Sequence, residues 1–370
     1  MGTVRDKPLS EARSEAQLYL SWKMNYARAS LSKGALQQHA KSVFSQNGED
    51  GMIEEALRRL GIDSPSFVEI GASDGSENCT HNLLLNGASG LWVEGDVDLV
   101  DRARNSFSDF PVDVRNKFVT TGNIIEIIRS SLRVCNGFDV LVMDTDGNDW
   151  WLLQKILTEY QPSLIVAEYN AATGPRTEWI MEYNSEHSWK QDRLYGASLT
   201  SYDKLMKHFG YRLVACDPAG VNAFWVTRSK RRLFTRYSKP QFHFAPMPPE
   251  ALHPEIGTAH MEVTLSKHEL SCIEVTSVER ISYNGESALI VEVFNSTNTS
   301  LSSIGNSPVR IGIKTAVDDS AEPKRARFSK AVSPGKYGTV FFNIEKDVRS
   351  AWIAPVQEGK QWGEWQLFSF

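Results

Sequence analysis

Three observations predict a doubly wound α/β domain followed by a smaller antiparallel β-domain. Between about residues 43 and 228, short near-continuous apolar runs alternate with stretches of helical period. The last two of those runs are joined by only the short connection 217–222. After residue 260 the helical period disappears, and short alternating runs follow one another between turn signals. Strands apolar on both sides suit a parallel sheet covered by helices, whereas alternation suits half-exposed antiparallel strands. A chain of 370 residues, at roughly 150 per domain, has room for both.

Residues 1–40 read as a helical extension. The stretch 9–38 is rich in Ala, Leu, Glu, Lys and Gln, with apolar residues at Leu18, Leu20, Trp22, Met24 and Ala27. It either caps the domain that follows or packs on a neighbouring domain or a second subunit. The α/β domain, 41–228, has expected strands at 67–70, 91–93, 118–120, 140–143, 164–168, 212–215 and 223–226. Expected helices lie at 51–60, 97–106, 124–132, 150–160 and 200–209. Alternating βα units closed by an antiparallel hairpin make the doubly wound sheet. Residues 229–260 form a linker, stiffened by Pro240, Pro246, Pro248, Pro249 and Pro254, each of which fixes φ. The basic cluster before it (Arg228, Lys230, Arg231, Arg232) reads as a solvated domain edge. In 261–370, strands are expected at 271–278, 288–294, 309–315 and 339–344, with turns at Asn284-Gly285 and Pro334-Gly335. Asn-Gly between two such runs is a strong hairpin signal. The region is therefore expected to be a small antiparallel sandwich.

Composition narrows the function. Forty Lys and Arg against 45 Asp and Glu give a net charge of −5, which argues against nucleic acid as the main partner. No apolar run approaches the roughly 18 to 20 residues that span a bilayer, so no transmembrane segment is expected. The first 30 residues mix charges throughout and lack a signal-peptide core. The four cysteines (Cys79, Cys135, Cys216, Cys272) are far apart and form no CxxC pair. Neither a zinc site nor a disulfide framework is suggested. The expected location is a reducing cytoplasm.

Chemistry concentrates where strands end. Phe67-Val68-Glu69-Ile70-Gly71-Ala72-Ser73-Asp74-Gly75 is an apolar strand running into a glycine-containing turn, which lets the backbone approach a ligand closely. Glu94 follows Gly71 by 23 residues and ends the next strand, the offset at which an acid accepts hydrogen bonds from a ribose diol. The turn departs from GxGxxG and carries Glu69 and Asp74, which would repel a pyrophosphate. A cationic, adenosine-containing ligand such as S-adenosylmethionine suits it better. That contrast favours methyl transfer over hydride transfer.

The blocks Ser45-Gln46-Asn47-Gly48-Glu49-Asp50, Glu77-Asn78-Cys79-Thr80, Gly90-Leu91-Trp92-Val93-Glu94 and Met143-Asp144-Thr145-Asp146-Gly147-Asn148-Asp149 add to that first strand and turn. With Ala167-Glu168-Tyr169-Asn170, Tyr195-Gly196-Ala197-Ser198-Leu199 and Gly220-Val221-Asn222-Ala223-Phe224, residues 43–228 resemble the FkbM-like class I methyltransferases. The resemblance implies a Rossmann-like class I methyltransferase sheet and S-adenosylmethionine as methyl donor. It implies that the first strand-turn holds the methionine part of the donor and the acid ending the second strand holds the ribose. Carried over on that basis are Glu69, Gly71, Asp74 and Glu94, with Asn78 on the next turn. Asn78 is equally placed to cap a helix.

Asp144, Asp146 and Asp149 lie within six residues at the end of the fourth strand. Such acids repel unless they cap a helix, meet donors or hold a cation. Asp149, just before Trp150-Trp151-Leu152, suits a helix N-cap. Asp144 and Asp146, with Glu168 and Asn170 at the end of the fifth strand, offer oxygens to a hard ion such as Mg²⁺ or Mn²⁺. The set is similar to that of metal-dependent O-methyltransferases of the catechol type. The alternative is that these acids position substrate hydroxyls directly. His187, in the 179–189 insertion, is the first candidate base, with Asp144 and Asp146 as further catalytic candidates and His81 a weaker one. The aromatic rings there (Trp179, Tyr183, Trp189, Tyr195) suit stacking on sugars or a lid packed on the domain.

The tail carries Ser307-Pro308-Val309-Arg310-Ile311-Gly312, Arg325-Ala326-Arg327, Ser333-Pro334-Gly335 and Glu358-Gly359-Lys360-Gln361-Trp362. These resemble the small β-domains of bacterial glycan-assembly enzymes, although Ile313-Lys314 stands where an aromatic usually follows. That resemblance moves the acceptor toward a sugar hydroxyl of a bacterial glycan, such as an O-antigen or other surface polysaccharide. The alternative role is a dimerising or structural sandwich. A natural-product methyltransferase and a non-catalytic carbohydrate-binding protein are the competing functions.

Overall fold

The computed structural model describes residues 6–237, 239–247, 264–303, 307–315, 322–328 and 331–370. The chain divides into two compact units. One comprises residues 25–189 and 195–246, the other 1–24, 190–194 and 247–370.

In order along the chain, the α/β unit takes its elements from the end of helix α1 (Asp6–Ser30), then α2 (Glu49–Leu60), β1 (Ser66–Ile70), α3 (His81–Leu85), β2 (Ser89–Glu94), α4 (Val97–Ser106), β3 (Val112–Asn116), α5 (Ile124–Arg129), β4 (Val140–Met143), α6 (Asp149–Ile156), β5 (Leu164–Glu168), α7 (Leu199–His208), β6 (Tyr211–Cys216), β7 (Asn222–Thr227) and α8 (Pro240–His243). The sheet order is β3-β2-β1-β4-β5-β7-β6. Strands β1 to β5 pair parallel, and β7 runs antiparallel to both neighbours. This arrangement is the doubly wound sheet that the alternating apolar runs predict, closed by an antiparallel hairpin. Strands β1, β4 and β5 are almost wholly buried, as expected of strands covered on both faces. Phe67, Trp92, Val142, Val166 and Phe224 share one core with Met52, Ile53 and Ala56 of α2.

Local chemistry sets the helix ends. Asp96 caps α4 by accepting from the backbone N–H groups of Asp98 and Leu99, and Ser198 caps α7 through Ser201. Acids open α2, arginines close it, and Gly61 stops it at φ 74°.

The third strand corrects the expectation. It is β3 at Val112–Asn116, not 118–120, and all five residues are half-buried. An edge strand exposes part of its surface, so Val112-Asp113-Val114-Arg115-Asn116 reads as polar while the apolar Phe118-Val119 lies beyond it. The expected linker is also shorter. Residues 228–233 make a 3₁₀ turn, Phe244 is buried, and the Tyr169 hydroxyl donates to the Ala245 carbonyl at 2.8 Å. Residues up to 246 therefore belong to the α/β unit. The basic cluster at Arg228, Lys230, Arg231 and Arg232 is exposed. Pro248, Pro249 and Pro254 lie outside the described residues.

The second unit contains α9 (Lys267–Ser271), β8 (Ile273–Tyr283), β9 (Glu286–Asn295), β10 (Val309–Thr315), β11 (Lys324–Ala326), β12 (Tyr337–Ile344), β13 (Ser350–Gln357), β14 (Gln361–Trp362) and β15 (Gln366–Ser369). They form two antiparallel sheets, β12-β9-β8 and β11-β10-β13-β14, with β15 also on β13. One cluster of buried residues takes Leu289, Val291 and Val340 from the first sheet and Ile311, Ile313 and Ile353 from the second. Asn284 and Gly285 close the β8–β9 hairpin with φ of 49° and 94°, the doubly positive turn that Asn-Gly favours. Strand β13 escapes sequence reading because Pro355 interrupts it, and proline usually argues against a central strand.

Most of the N-terminal helix belongs to the second unit. Ala12, Ala16, Tyr19 and Leu20 make one stripe and pack on Ile281, Ala288 and Ile290 of the β-domain. Arg13 pairs with Glu279 at 2.8 Å and Lys23 with Glu286 at 2.5 Å. Leu18, one of the apolar residues of this stretch, is 51% exposed. Residues 1–24 thus belong with the C-terminal unit. Among the described residues, no helix is long and apolar enough to cross a membrane.

Candidate active site

A cavity of about 380 Å³ opens at the carboxyl ends of β1, β2 and β4. The strand order reverses between β1 and β4, the place where open α/β sheets bind ligands. Gly71, Ser73 and Glu94 line one side, and Asp144, Asp146 and His187 another. Gly71 has φ 82°, and a Cβ there would lie 1.6 Å from the Asp144 carbonyl oxygen. Only glycine lets the turns after β1 and β4 come this close. The Glu94 carboxylate accepts from the backbone N–H groups of Ser73 (3.0 Å), Gly95 (2.7 Å) and Asp96 (3.0 Å). Its oxygens are fixed at the cavity wall and keep lone pairs for a ligand's hydroxyls.

The other residues carried over for the methyl donor do not line this cavity. Glu69 is 3% exposed. Its carboxylate accepts from the N–H groups of Cys79 (3.0 Å) and Thr80 (3.1 Å) and from the Thr80 hydroxyl. Burial pushes its pKa up to about 7. Asp74 accepts from the Ser76 amide and hydroxyl and pairs with Arg102 at 3.2 Å, so its pKa falls below the usual range. Asn78 accepts from the His81 N–H at 2.8 Å and donates to the Ala72 carbonyl at 3.3 Å, while the N-cap of α3 is Thr80. His81 stacks on Phe44 at 3.7 Å, and burial lowers its pKa. All four shape the turn behind the cavity.

The acid cluster forms as three residues. Carboxylate oxygens of Asp144, Asp146 and Glu168 lie within 4.8 Å of one another. Burial, then neighbouring acids, raises the pKa of Asp144 and Glu168 well above the usual range. One Glu168 oxygen, Oε2, is buried with no hydrogen-bond partner. A buried orphan oxygen amid like charges is costly, and three carboxylates so grouped fit a hard divalent cation. Asn170, at the end of the same strand, is held by its own turn and by Tyr195. It is fully buried, accepts from the Ala172 N–H at 3.1 Å and donates to the Tyr195 carbonyl at 3.1 Å. Its side-chain oxygen thereby caps the turn that follows. Asp149, expected as an N-cap, is instead the first residue of α6, after Asn148. It closes the turn by accepting from the N–H groups of Thr145 (2.7 Å) and Gly147 (2.9 Å).

His187 reaches this turn from the insertion. Its Nε2 is 3.0 Å from the Asp146 carbonyl oxygen. A carbonyl only accepts, so Nε2–H is the donor in this contact. A Cβ on Gly147 would sit 2.4 Å from His187 Cδ2. Asn148 and Asn184 bond reciprocally, Nδ2 to carbonyl at 2.7 Å and N–H to Oδ1 at 3.1 Å. The Gly196 N–H donates to the Gly147 carbonyl at 2.9 Å. Trp151 donates to the Met181 carbonyl at 2.9 Å and packs edge-on against Tyr183.

Sequence reading missed Lys117, Phe118 and Val119 as cavity wall. The signal lay in Phe118, an apolar residue beyond the true strand end and 55% exposed.

No family model matches the sequence, and no curated protein matches it. Among solved structures, the chain is similar to a proposed O-methyltransferase from Klebsiella pneumoniae, with 17% identity over 57% of this chain and 89% of that one, at a TM-score of 0.36. It is similar to the N-terminal domain of EvdMO1 with SAH bound, with 14% identity over 49% and 80%, at 0.33. A third is an S-adenosylmethionine-dependent methyltransferase from Clostridium acetobutylicum, with 10% identity over 48% and 90%, at 0.32. At such likeness the residues of the site have to carry any argument about function.

Proposed function

We propose that this chain is an FkbM-like, S-adenosylmethionine-dependent O-methyltransferase acting on a sugar hydroxyl of a bacterial glycan. The observation that carries the reading is the cavity at the β1/β4 reversal, with Glu94 on one wall and Asp144, Asp146 and His187 on the other. Glu94 would accept from the ribose hydroxyls, and Gly71 lets the methionine part approach the backbone. The donor supplies a methyl group on a sulfonium, and its transfer is an in-line displacement in which alignment is the main demand. Asp144, Asp146 and Glu168 would hold Mg²⁺ or Mn²⁺, whose chemistry there is to lower the pKa of an acceptor hydroxyl. His187, oriented by the Asp146 carbonyl, presents Nδ1 as the proton acceptor. Trp151, Tyr183, Trp189 and Tyr195 cluster around the insertion, and their faces suit sugar rings. In the second unit, the core shared by both sheets supports a sandwich.

Isothermal titration and turnover test this reading. S-adenosylmethionine should bind with EDTA present, while turnover on a glycan acceptor should need Mg²⁺ or Mn²⁺. Asp144→Asn should imitate EDTA without rescue. No heat at millimolar donor would remove the enzyme reading; full turnover in EDTA would remove only the metal.

A further inference from the structure

The sheet face that packs on α2 ends in a row of oxygens. Val142, Val166 and Phe224 are neighbours across β4, β5 and β7, and they share the core with Met52, Ile53 and Ala56. Side chains two residues apart on a strand point to the same face. Asp144, Glu168 and Asn222 therefore continue those three rows toward the carboxyl ends of β4 and β5. Glu168 and Asn222 are paired directly. Asp144 carries the ladder on past β4, its N–H donating to the Ile70 carbonyl at 3.0 Å. Adjacent strands lie about 4.8 Å apart, so the three side chains are immediate neighbours.

Of the three, Asn222 is the neutral one. It is 5% exposed, and its Nδ2 donates to Glu49 Oε1 at 2.8 Å. Glu49 is buried at the start of α2 and is itself held, its Oε2 accepting from the Asn47 N–H at 2.8 Å. A carboxylate accepts, so the amide nitrogen of Asn222 must face Glu49 and Oδ1 is turned away from it. Among the described residues, Oδ1 has no hydrogen-bond partner, and neither has Oε2 of the paired Glu168. Two buried acceptors side by side without a donor are costly. One hard cation satisfies both, and amide oxygens join carboxylates in such sites.

We propose that Asn222 Oδ1 is a fourth protein oxygen of the cation site formed by Asp144, Asp146 and Glu168, with Glu49 holding the amide in the ligating sense. The assignment rests on the metal reading of that site. It adds a residue that no spacing along the chain points to, because only the pairing of β5 with β7 brings Asn222 beside Glu168.

Titrate the full chain with Mn²⁺, without acceptor, and follow the free ion by electron paramagnetic resonance. The wild-type chain should bind a single ion. Asn222→Ala should weaken binding roughly tenfold or more. Asn222→Asp should bind at least as tightly as wild type, because it returns an oxygen whose repulsion from the other acids is relieved by the ion. Both variants lose the bond to Glu49, so a merely structural Asn222 would weaken both alike, and that result overturns the proposal. Equal affinity in wild type and Asn222→Ala overturns it too, while leaving the cation in place. If circular dichroism shows that Asn222→Ala does not fold, Asn222→Asp decides alone, and affinity below wild type overturns the assignment. A wild-type chain that binds no Mn²⁺ removes the metal itself, and this assignment with it.

Discussion

Glu94 is fixed by three backbone N–H groups before any ligand arrives, so its oxygens pay little ordering cost on binding. Glu94→Ala should weaken S-adenosylmethionine binding by about 1.5 to 3 kcal/mol, the loss of charged hydrogen bonds. Titration calorimetry measures this, with circular dichroism to show that the fold survives; unchanged affinity would place the ribose elsewhere. Glu69 behaves differently because it is buried behind the turn. Its pKa rises from 4.5 to about 7 on folding, so the folded state keeps its proton where the unfolded state has lost it. The stability this provides is present below pH 4.5 and is lost as pH rises toward 7. Glu69→Gln cannot ionise, so its stability relative to wild type should improve steadily from pH 4.5 to 7. Thermal unfolding of both chains across that range checks it, and a constant difference would refute the shift. The sequence showed both acids at strand ends but not their fates. Strand alternation and one turn separate a carboxylate on the cavity wall from one enclosed by loop amides.

At the scale of elements, the insertion and the turn after β4 act together. Asn148, Asn184, Gly147 and His187 bind the two segments at three points. Gly147→Ala would place a methyl 2.4 Å from His187 Cδ2 and push the imidazole off the Asp146 carbonyl. Turnover should fall by roughly 10²-fold, the low end for losing a positioned base, with donor affinity unchanged and little loss of stability. Kinetics, calorimetry and melting together test it, and an unaffected rate would take His187 out of catalysis. The strands that carry the site were legible because β1, β4 and β5 are continuous apolar runs. Strand β3 was not, since a half-exposed edge strand has no such run.

For the molecule as a whole, the division into units sets where the chain can be cut. The bond from Tyr169 to the Ala245 carbonyl and the burial of Phe244 mean that a chain ending near 240 loses part of its own core. Residues 25–246 should fold alone and bind S-adenosylmethionine, because that unit has its own hydrophobic cluster. Ending at 240 should lower the melting temperature measurably. Differential scanning calorimetry of the two shortened chains compares them, and equal melting would show that residues 241–246 contribute nothing. The N-terminal helix shows how far sequence reaches at this scale. Its apolar stripe is periodic and readable, but the surface it meets lies more than 250 residues away in sequence.

By itself, the sequence determined most of the buried strands and helices, the doubly wound class of the first domain, the Asn284-Gly285 hairpin and the acids at the ends of β1, β2, β4 and β5. Those follow from local rules: period, turn chemistry and the glycine that a positive φ requires. Only the tertiary structure decided that Asp144, Asp146 and Glu168 converge while Asn170 turns to its own loop. It alone decided that Glu94 faces the cavity while Glu69 is buried, and that residues 1–24 pack on the C-terminal unit. The reason is that convergence depends on distances across strands and on which donors are already taken, and neither is written along the chain.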